Sequence, residues 1–312
     1  MDNLLLSLNV VLPLFLFMMV GYFLKCVGMI GERLTEDLNK LSFKVFLPIY
    51  LFNTSYACDL SASFDPGHVA FAVITTLVVF GLGMVLVPRW VKDNRQRGVV
   101  IQCLFRSNFA LFGLPITEAL CGADKMGPSS FLISFIVPLY NILAVITLET
   151  FRGGKPNPKK ILKGIVTNPL IIATLLGLVM NLLKIQLIQP VNKALVDMGR
   201  VATPLNLIAL GSHFSFRAIR TSMKPLLIGS VGRLIVCPVI MVSLAALMGY
   251  RGEYLSPILI MFGAPVAASS FTMAQQMEGD GQLAASFVMV TSAGAIFTFF
   301  VWIFILKQLM LV

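Results

Sequence analysis

Charged residues are scarce in this chain of 312 residues: Asp, Glu, Lys and Arg make up only 12% of it, against about 25% in a soluble domain. No polar stretch is long enough to form a separate soluble domain. Apolar residues supply 57% of the chain and the mean hydropathy is +0.89. Because apolar runs of roughly 18 residues or more recur along the whole length, the composition predicts an integral membrane protein.

The beginning of the sequence lacks the features of a cleavable leader. The stretch MDNLLLSLNVVLPLFLF has no basic segment and no small-residue cleavage site before its apolar run extends to Leu24. We therefore expect a first membrane span here rather than a signal peptide.

Patterns that would indicate a metal site, a disulfide or an enzyme are also missing. The five cysteines include no CxxC pair and have no histidine at ligand spacing, so we expect neither a metal nor a disulfide. Ser212 and His213 are merely adjacent in sequence, and Asp280 has no second intramembrane aspartate as a partner. An intramembrane protease needs one of those arrangements inside its spans, so we expect no enzymatic activity and no cofactor.

The pattern of apolar runs predicts an all-α protein with ten spans. They cover residues 4–25, 38–57, 68–89, 98–121, 128–150, 165–183, 200–217, 224–249, 255–277 and 283–307. The net charge of +10 would suggest a nucleic-acid partner in a soluble protein. Here it is explained by basic cytoplasmic loops, and we expect no nucleic-acid partner.

The basic residues predict the orientation. Alternate loops divide them into 16 on one side and 6 on the other, while Arg106 and Arg233 lie inside spans four and eight. By the positive-inside rule the 16 face the cytoplasm and both termini are extracytoplasmic. The first set is Lys25, Arg33, Lys40, Lys44, Arg89, Lys92, Arg95, Arg97, Arg152, Lys155, Lys159, Lys160, Lys163, Arg217, Arg220 and Lys224.

The two halves of the chain repeat each other. Pro13, Gly21 and Pro48 recur 156 residues later, as Pro169, Gly177 and Pro204. Each half then holds five spans, and because five is odd the halves insert in opposite orientations, as in many secondary transporters. The repeats cover residues 1–150 and 165–312, joined by a short basic linker at 151–164.

Two Gly–Pro segments stand at matched places in the repeat. FGLP covers 112–115 in span four and FGAP covers 262–265 in span nine, both costly inside a helix. We expect each span to be broken there, with Pro115 and Pro265 beginning a new half-helix. Such breaks near the membrane midplane present free N–H groups that suit an anion, although a simple proline kink is the alternative.

Several segments resemble the auxin efflux carrier family, which includes the plant PIN auxin exporters and bacterial malate and malonate permeases. The resemblance covers nearly the whole chain. It is carried by LNKLSFKVFLPIYLF (38–52), RSNFALFGLPITEALCG (106–122), NPLIIATLLGL (168–178), RLIVCP (233–238) and GAPVAASSFTMAQQ (263–276). The short central loop, FRGGKPNPKK, departs from the long-loop plant carriers.

This resemblance implies a fold and a function. Spans 1, 2, 6 and 7 would form a scaffold, often dimeric, and spans 3–5 and 8–10 a mobile transport domain with crossing broken helices. The expected function is elevator-type transport of a small organic anion such as malate, malonate or an indole-type carboxylate across the cytoplasmic (inner) membrane. Transport could be coupled to a gradient of Na⁺ or of H⁺, and the sequence does not decide between them. An anion-selective channel, or a uniporter without ion coupling, is the alternative.

Polar residues inside the spans are the candidate binding residues. The resemblance implies substrate contact for Asn108, seven residues before Pro115, and capping of the broken backbone by its amide is the alternative. Asn53 and Asn141 either face the site or bind neighbouring helices. Ser269, Ser270, Thr272 and Gln275 follow the second break and either line the site or allow close helix packing.

Charged groups at depth form a second set. Arg106 and Arg233 either draw an anion inward, cap the carbonyls of the half-helices or extend to the cytoplasmic surface, and we favour a structural role over anion attraction. Glu118 and Gln276 are candidates for coupling to a cation or proton, although an acid just after FGLP does not suit a purely anion-attracting site. His213 is interpreted as a boundary residue near the end of span seven.

Overall fold

The structure is a computed structural model that describes residues 2–57, 65–152 and 158–312. Regular structure in these residues is helical, and the only β-type pairing among them is a bridge between Ser107 and Val266. The helices of the first half are α1 (Asp2–Cys26), α2 (Glu32–Leu41), α3 (Leu47–Tyr56), α4 (Pro66–Trp90), α5 (Asn94–Phe105), α6 (Phe109–Cys121) and α7 (Gly127–Phe151). Those of the second half are α8 (Pro158–Thr167), α9 (Pro169–Leu182), α10 (Gln189–His213), α11 (Phe216–Thr221), α12 (Met223–Val231), α13 (Cys237–Leu247), α14 (Gly252–Gly263), α15 (Ser269–Gln276) and α16 (Gly281–Gln308).

Two pairs of these helices are continuous through a wide π-turn. Ser42–Phe46 joins α2 to α3, and Gly232–Val236 joins α12 to α13. Pro48 and Pro238 follow these turns directly, in the first turn of α3 and α13. A proline ring clashes with the carbonyl four residues before it, and a wider turn relieves that clash without ending the helix.

Four helices in the described residues are long and apolar enough to cross a membrane. They are Pro66–Trp90, Gly127–Phe151, Met223–Leu247 and Gly281–Gln308. Shorter apolar helices accompany them, and large apolar side chains such as Phe23 and Phe297 are exposed. A surface of this kind suits lipid rather than water, so the structure is that of an all-helical membrane protein.

Some boundaries differ from the predicted spans. Helix α10 begins at Gln189, 11 residues before the predicted span at 200–217, because Pro190 in its first turn favours a helix start. Helix α8 begins at Pro158, inside the predicted linker. Residues 153–157 of that linker lie outside the described residues.

Four helical segments form one packed group: α1 against α10, and the continuous α2–α3 against α9 and α10. Two glycines allow backbone contact at these crossings. A Cβ on Gly21 would lie 2.0 Å from the Ile208 carbonyl oxygen, and one on Gly177 would lie 2.5 Å from the Phe52 carbonyl oxygen. No larger residue fits at either position, a use of glycine typical of membrane helix interfaces. We call α1, α2–α3, α9 and α10 the four-helix group.

Helices α4–α7 and α12–α16 form a second group around two interrupted helices, which we call the crossing group. The short helix α8 contacts α7 and α9, and the short helix α11 contacts α12 and α16. The first interruption covers residues 106–108, between α5 and α6, and the second covers 264–268, between α14 and α15. The two interruptions pair with each other. Besides the Ser107–Val266 bridge, the Asn108 N–H donates to the Pro265 carbonyl oxygen at 2.8 Å. Two interruptions therefore meet, as predicted, but the first of them lies at 106–108 and not in the predicted segment 112–115.

The predicted position of the first break was wrong. FGLP lies inside α6, with Pro115 in the helix, and the chain is instead interrupted over residues 106–108, directly before α6 begins. Loss of one N–H donor at Pro115 is tolerated within the helix, whereas the interruption at 106–108 is stabilised by pairing with residues far away in sequence. FGAP overlaps the second interruption only at residues 264 and 265, because Gly263 still belongs to α14. The next helix begins at Ser269 and not at Pro265 as predicted.

Candidate functional site

A cavity of about 50 Å³ lies where the interruptions meet the four-helix group. By volume it has room for a few water molecules. Its walls come from α3, α9 and α10 on one side, and from α6, α7 and both interruptions on the other. Its polar residues are Tyr50, Arg106, Ser107, Asn108, Tyr140, Asn141, Thr203, Asn206 and Ser269.

Within the described part of the chain, Arg106 is the only charged residue that lines this cavity. Its side chain is 4% exposed. Nη2 donates to Asn141 Oδ1 at 2.8 Å and to Ser269 Oγ at 2.9 Å, and Nη1 donates to Gln102 Oε1 at 3.1 Å. Nη1 also lies 2.6 Å from the Met273 sulfur. Among the described residues no carboxylate lies at ion-pair distance, so the buried guanidinium has hydrogen bonds but no counter-charge.

Two amides around Arg106 have unpaired nitrogens. Asn141 Nδ2 and Gln102 Nε2 are buried, and neither finds a hydrogen-bond partner within the described part of the chain. Each amide turns its oxygen to the guanidinium, because arginine offers donors only. Asn141 lines the cavity, whereas Gln102 lies behind Arg106. An unpaired buried donor is costly, so the cavity favours an occupant with acceptor atoms.

Asn108 lines the same cavity at the start of α6. Its backbone N–H is bound to Pro265, but its side chain makes no hydrogen bond to any residue that the structure describes. The side chain is half-buried. The amide is therefore not the cap of the broken backbone that was the alternative expectation, and it remains available to an occupant of the cavity.

Arg233 has a different environment, although it too lies at the crossing. It is fully buried and does not line the cavity. Its Nε donates to the Ala264 carbonyl oxygen at 2.9 Å, Nη1 to Leu104 at 3.0 Å and Nη2 to Met261 at 2.5 Å. These carbonyls belong to the ends of α5 and α14, where a helix leaves its last acceptors unpaired. The geometry is that of a cap shared by two half-helices.

The polar residues of α15 divide between three places. Ser269 binds Arg106, while the Ser270 hydroxyl is buried without a partner in the described residues. Thr272 Oγ1 donates to Asn206 Oδ1 of α10 at 2.9 Å. Gln275 Oε1 accepts from Asn39 Nδ2 of α2. Helix α15 thus begins at the cavity and ends in hydrogen bonds to the four-helix group.

Other predicted residues are not brought to the cavity. Asn53 donates from Nδ2 to the Leu195 carbonyl oxygen at 2.6 Å, joining α3 to α10. Pro115 and Glu118 are exposed on α6, and Gln276 is half-buried at the end of α15. His213 lines two larger cavities, of about 440 and 390 Å³, which also border Gln275.

Sequence reasoning missed several cavity residues. Asn206 accepts from both Ser42 and Thr272, and Tyr140 stands 3.5 Å from Ser107. Asn206 is a lone amide in the apolar run TPLNLIAL, the same signal that singled out Asn141. Gln102 lies one helical turn before Arg106, a spacing that predicts contact between the two side chains.

Comparison with known proteins agrees with this architecture. Residues 6–303 match the sequence profile of a family described as membrane transport protein. An uncharacterized transporter of Methanothermobacter thermautotrophicus is 24% identical over 303 residues, which cover 95% of this chain and 97% of that protein. An uncharacterized transporter of Methanocaldococcus jannaschii is 24% identical over 310 residues, 96% of this chain and 98% of the relative.

Proposed function

Because the chain belongs to the auxin efflux carrier family of membrane transport proteins, we propose that it is a secondary transporter of a small organic anion. The proposed cargo carries a carboxylate and crosses the cytoplasmic membrane. One observation carries the choice of an anion: the buried guanidinium of Arg106, without a counter-charge in the described residues, faces a cavity at the helix crossing.

An unneutralised buried cation is expensive, because its removal from water is repaid only by an opposite charge and by hydrogen bonds. Two further features favour an anion at the same place. Helices α6 and α15 both begin beside the cavity, and the positive end of a helix dipole attracts negative charge. The amide nitrogens of Asn108 and Asn141 add donors for carboxylate oxygens.

We further propose ten spans in two inverted repeats. The support is the pair of glycine crossings: Gly21 contacts Ile208, and Gly177 contacts Phe52. Gly177 lies 156 residues after Gly21, and Ile208 lies 156 residues after Phe52. The two contacts therefore join the same pair of repeat positions, with the first and second halves of the chain exchanged. The bridged residues Ser107 and Val266 are 159 apart, close to that spacing. Contacts exchanged in this way are expected from interleaved repeats.

We also propose an elevator motion of the crossing group along the four-helix group, and this division supports it. Helix α15 meets the four-helix group through isolated hydrogen bonds, Thr272 to Asn206 and Asn39 to Gln275, which can break and re-form. The cavity of about 440 Å³ beyond Gln275 is the proposed cytoplasmic vestibule. We assign this side to the cytoplasm because the basic loops lie on it, which places both termini on the extracytoplasmic side.

Malate, malonate and indole-type carboxylates are the proposed cargo types, and sodium or proton coupling is a further proposal. We also propose a homodimer through the four-helix group. An anion-selective channel, or a uniporter without ion coupling, is the competing function, because channels also use broken helices and polar pores.

The test is uptake into liposomes that contain the purified protein. Labelled malate, malonate and indole-3-acetate would be supplied under separate sodium, proton and voltage gradients, with indole-3-acetamide as a neutral control. Saturable uptake of an acid but not of the amide is expected. A linear single-channel current with no saturable flux would support the channel, and uptake of none of the acids would contradict the proposed function.

A further inference from the structure

The positive charge of Arg106 is left intact by its hydrogen-bond partners in the described residues. Gln102, Asn141, Ser269 and Met273 are all neutral. Gln102 precedes Arg106 by one helical turn, the spacing at which a glutamate would form an ion pair. Its side chain is 1% exposed and does not line the cavity. Gln102 therefore acts on an occupant of the cavity through Arg106.

A carboxylate would suit the local structure better than the amide does. The Gln102 oxygen binds Arg106, while its nitrogen is buried without a partner in the described part of the protein. Glutamate at the same place would bind the guanidinium through charge-assisted hydrogen bonds and would leave no donor unpaired. Compared with a glutamate, the Gln102 amide makes the local structure less stable, but it leaves the positive charge of the site unneutralised.

We propose that Gln102 determines the charge selectivity of this transporter, an inference that rests on the proposed function. The amide holds the guanidinium in position and leaves its full charge for one carboxylate of the cargo. Gln102 is a positioning residue, whereas Arg106 and Asn141 touch the cargo.

The same geometry limits the number of carboxylates. Among the described residues Arg106 alone brings a charge to the cavity lining, so one carboxylate is neutralised there and a second has no counter-charge. Desolvation of that second charge would be uncompensated. Among the proposed cargo types, the site therefore prefers indole-type monocarboxylates to the dicarboxylates malate and malonate.

The test is equilibrium binding in detergent with matched acids and a neutral analogue. Indole-3-acetate and indole-3-acetamide differ in charge but little in shape, and monomethyl malonate and malonate differ by one carboxylate. Gln102→Glu should weaken indole-3-acetate and monomethyl malonate binding by about a hundredfold or more, because the new charge neutralises Arg106 at close range. Binding of the neutral amide should change by less than about threefold.

Two controls separate charge from hydrogen bonding. Gln102→Met removes the hydrogen bond without adding charge and should weaken carboxylate binding by about fivefold. Gln186→Glu adds the same charge at an exposed position outside the cavity lining and should bind like the parent. If Gln102→Glu fails to fold, Gln102→Asp places the same charge at the same position on a shorter side chain and should also weaken carboxylate binding more than Gln102→Met does.

The inference is overturned if a folded Gln102→Glu protein binds the monocarboxylates within about threefold of the parent. It is also overturned if the parent binds malonate as tightly as its monomethyl ester. A parent protein that binds none of the acids would contradict the proposed function itself, and that result differs from both of these.

Discussion

Replacing the two buried arginines by methionine should separate folding from binding. Arg233→Met removes the donors that bind the carbonyls of Leu104, Met261 and Ala264 at the helix interruptions. Arg106→Met removes donors that bind side chains beside the cavity. We expect the first variant to lose stability with little direct effect on the cavity, and the second to lose anion binding while it remains folded.

The expected loss of stability in Arg233→Met comes from the three backbone carbonyls that lose their hydrogen-bond donor. Each buried, unsatisfied acceptor costs about 1–3 kcal/mol, and three are affected. Removal of the arginine also abolishes its own desolvation cost, so a net destabilisation on the order of 3–5 kcal/mol is expected. In Arg106→Met the groups that lose a hydrogen bond are side chains, which can rotate or bind water from the cavity. Loss of an uncompensated charge offsets their cost, so we expect a change within about 1 kcal/mol.

The assay is thermal unfolding in detergent, followed with a thiol-reactive fluorophore, because Cys103 and Cys237 are buried in the folded protein. At about 2–4 °C per kcal/mol, Arg233→Met should lower the melting temperature by roughly 10 °C and Arg106→Met by less than about 4 °C. Carboxylate binding is measured on the same samples. If Arg106→Met unfolds early while Arg233→Met keeps its melting temperature and loses binding, the two roles are reversed and the reasoning is refuted.

Three further predictions concern other parts of the account. Asn108→Ala should weaken carboxylate binding by about ten- to a hundredfold, since an amide donor to a charged acceptor contributes about 1.5–3 kcal/mol, and an unchanged Kd would contradict this. Gly21→Val and Gly177→Val should each reduce the yield of folded protein to a similar degree, measured by size-exclusion chromatography, whereas tolerance of either would argue against the backbone contacts. A cysteine-free protein that carries Asn39→Cys and Gln275→Cys should lose uptake when the two cysteines are oxidised to a disulfide and should regain uptake when the disulfide is reduced. Uptake by the fully cross-linked protein would exclude the proposed motion at this contact.

Helices and their interruptions were partly predictable from the sequence. FGAP combines a glycine and a proline, and the second interruption begins within it, at residue 264. FGLP has the same local pattern, yet α6 continues through it. The difference arises because the first interruption depends on the Pro265 carbonyl and on the Arg233 cap, partners that are remote in sequence.

The candidate site shows the same limit. A polar residue inside an apolar run was the signal that identified Arg106, Asn108 and Asn141, all of which line the cavity. The same signal identified Asn53, which does not line the cavity and instead joins α3 to α10. Membrane depth follows from hydropathy, whereas the direction of a side chain depends on how helices pack. Asn206 was missed because its helix, α10, supplies one wall of the cavity only after it packs beside α15.

The central claim is that this protein carries an anion through a site that contains Arg106, and counterflow in liposomes tests it most directly. Vesicles loaded with an unlabelled acid would receive a trace of the same labelled acid outside. The account predicts a transient accumulation of label above equilibrium with the parent protein and none with Arg106→Met. Label that equilibrates without an overshoot, or an overshoot of equal size with Arg106→Met, would contradict the account.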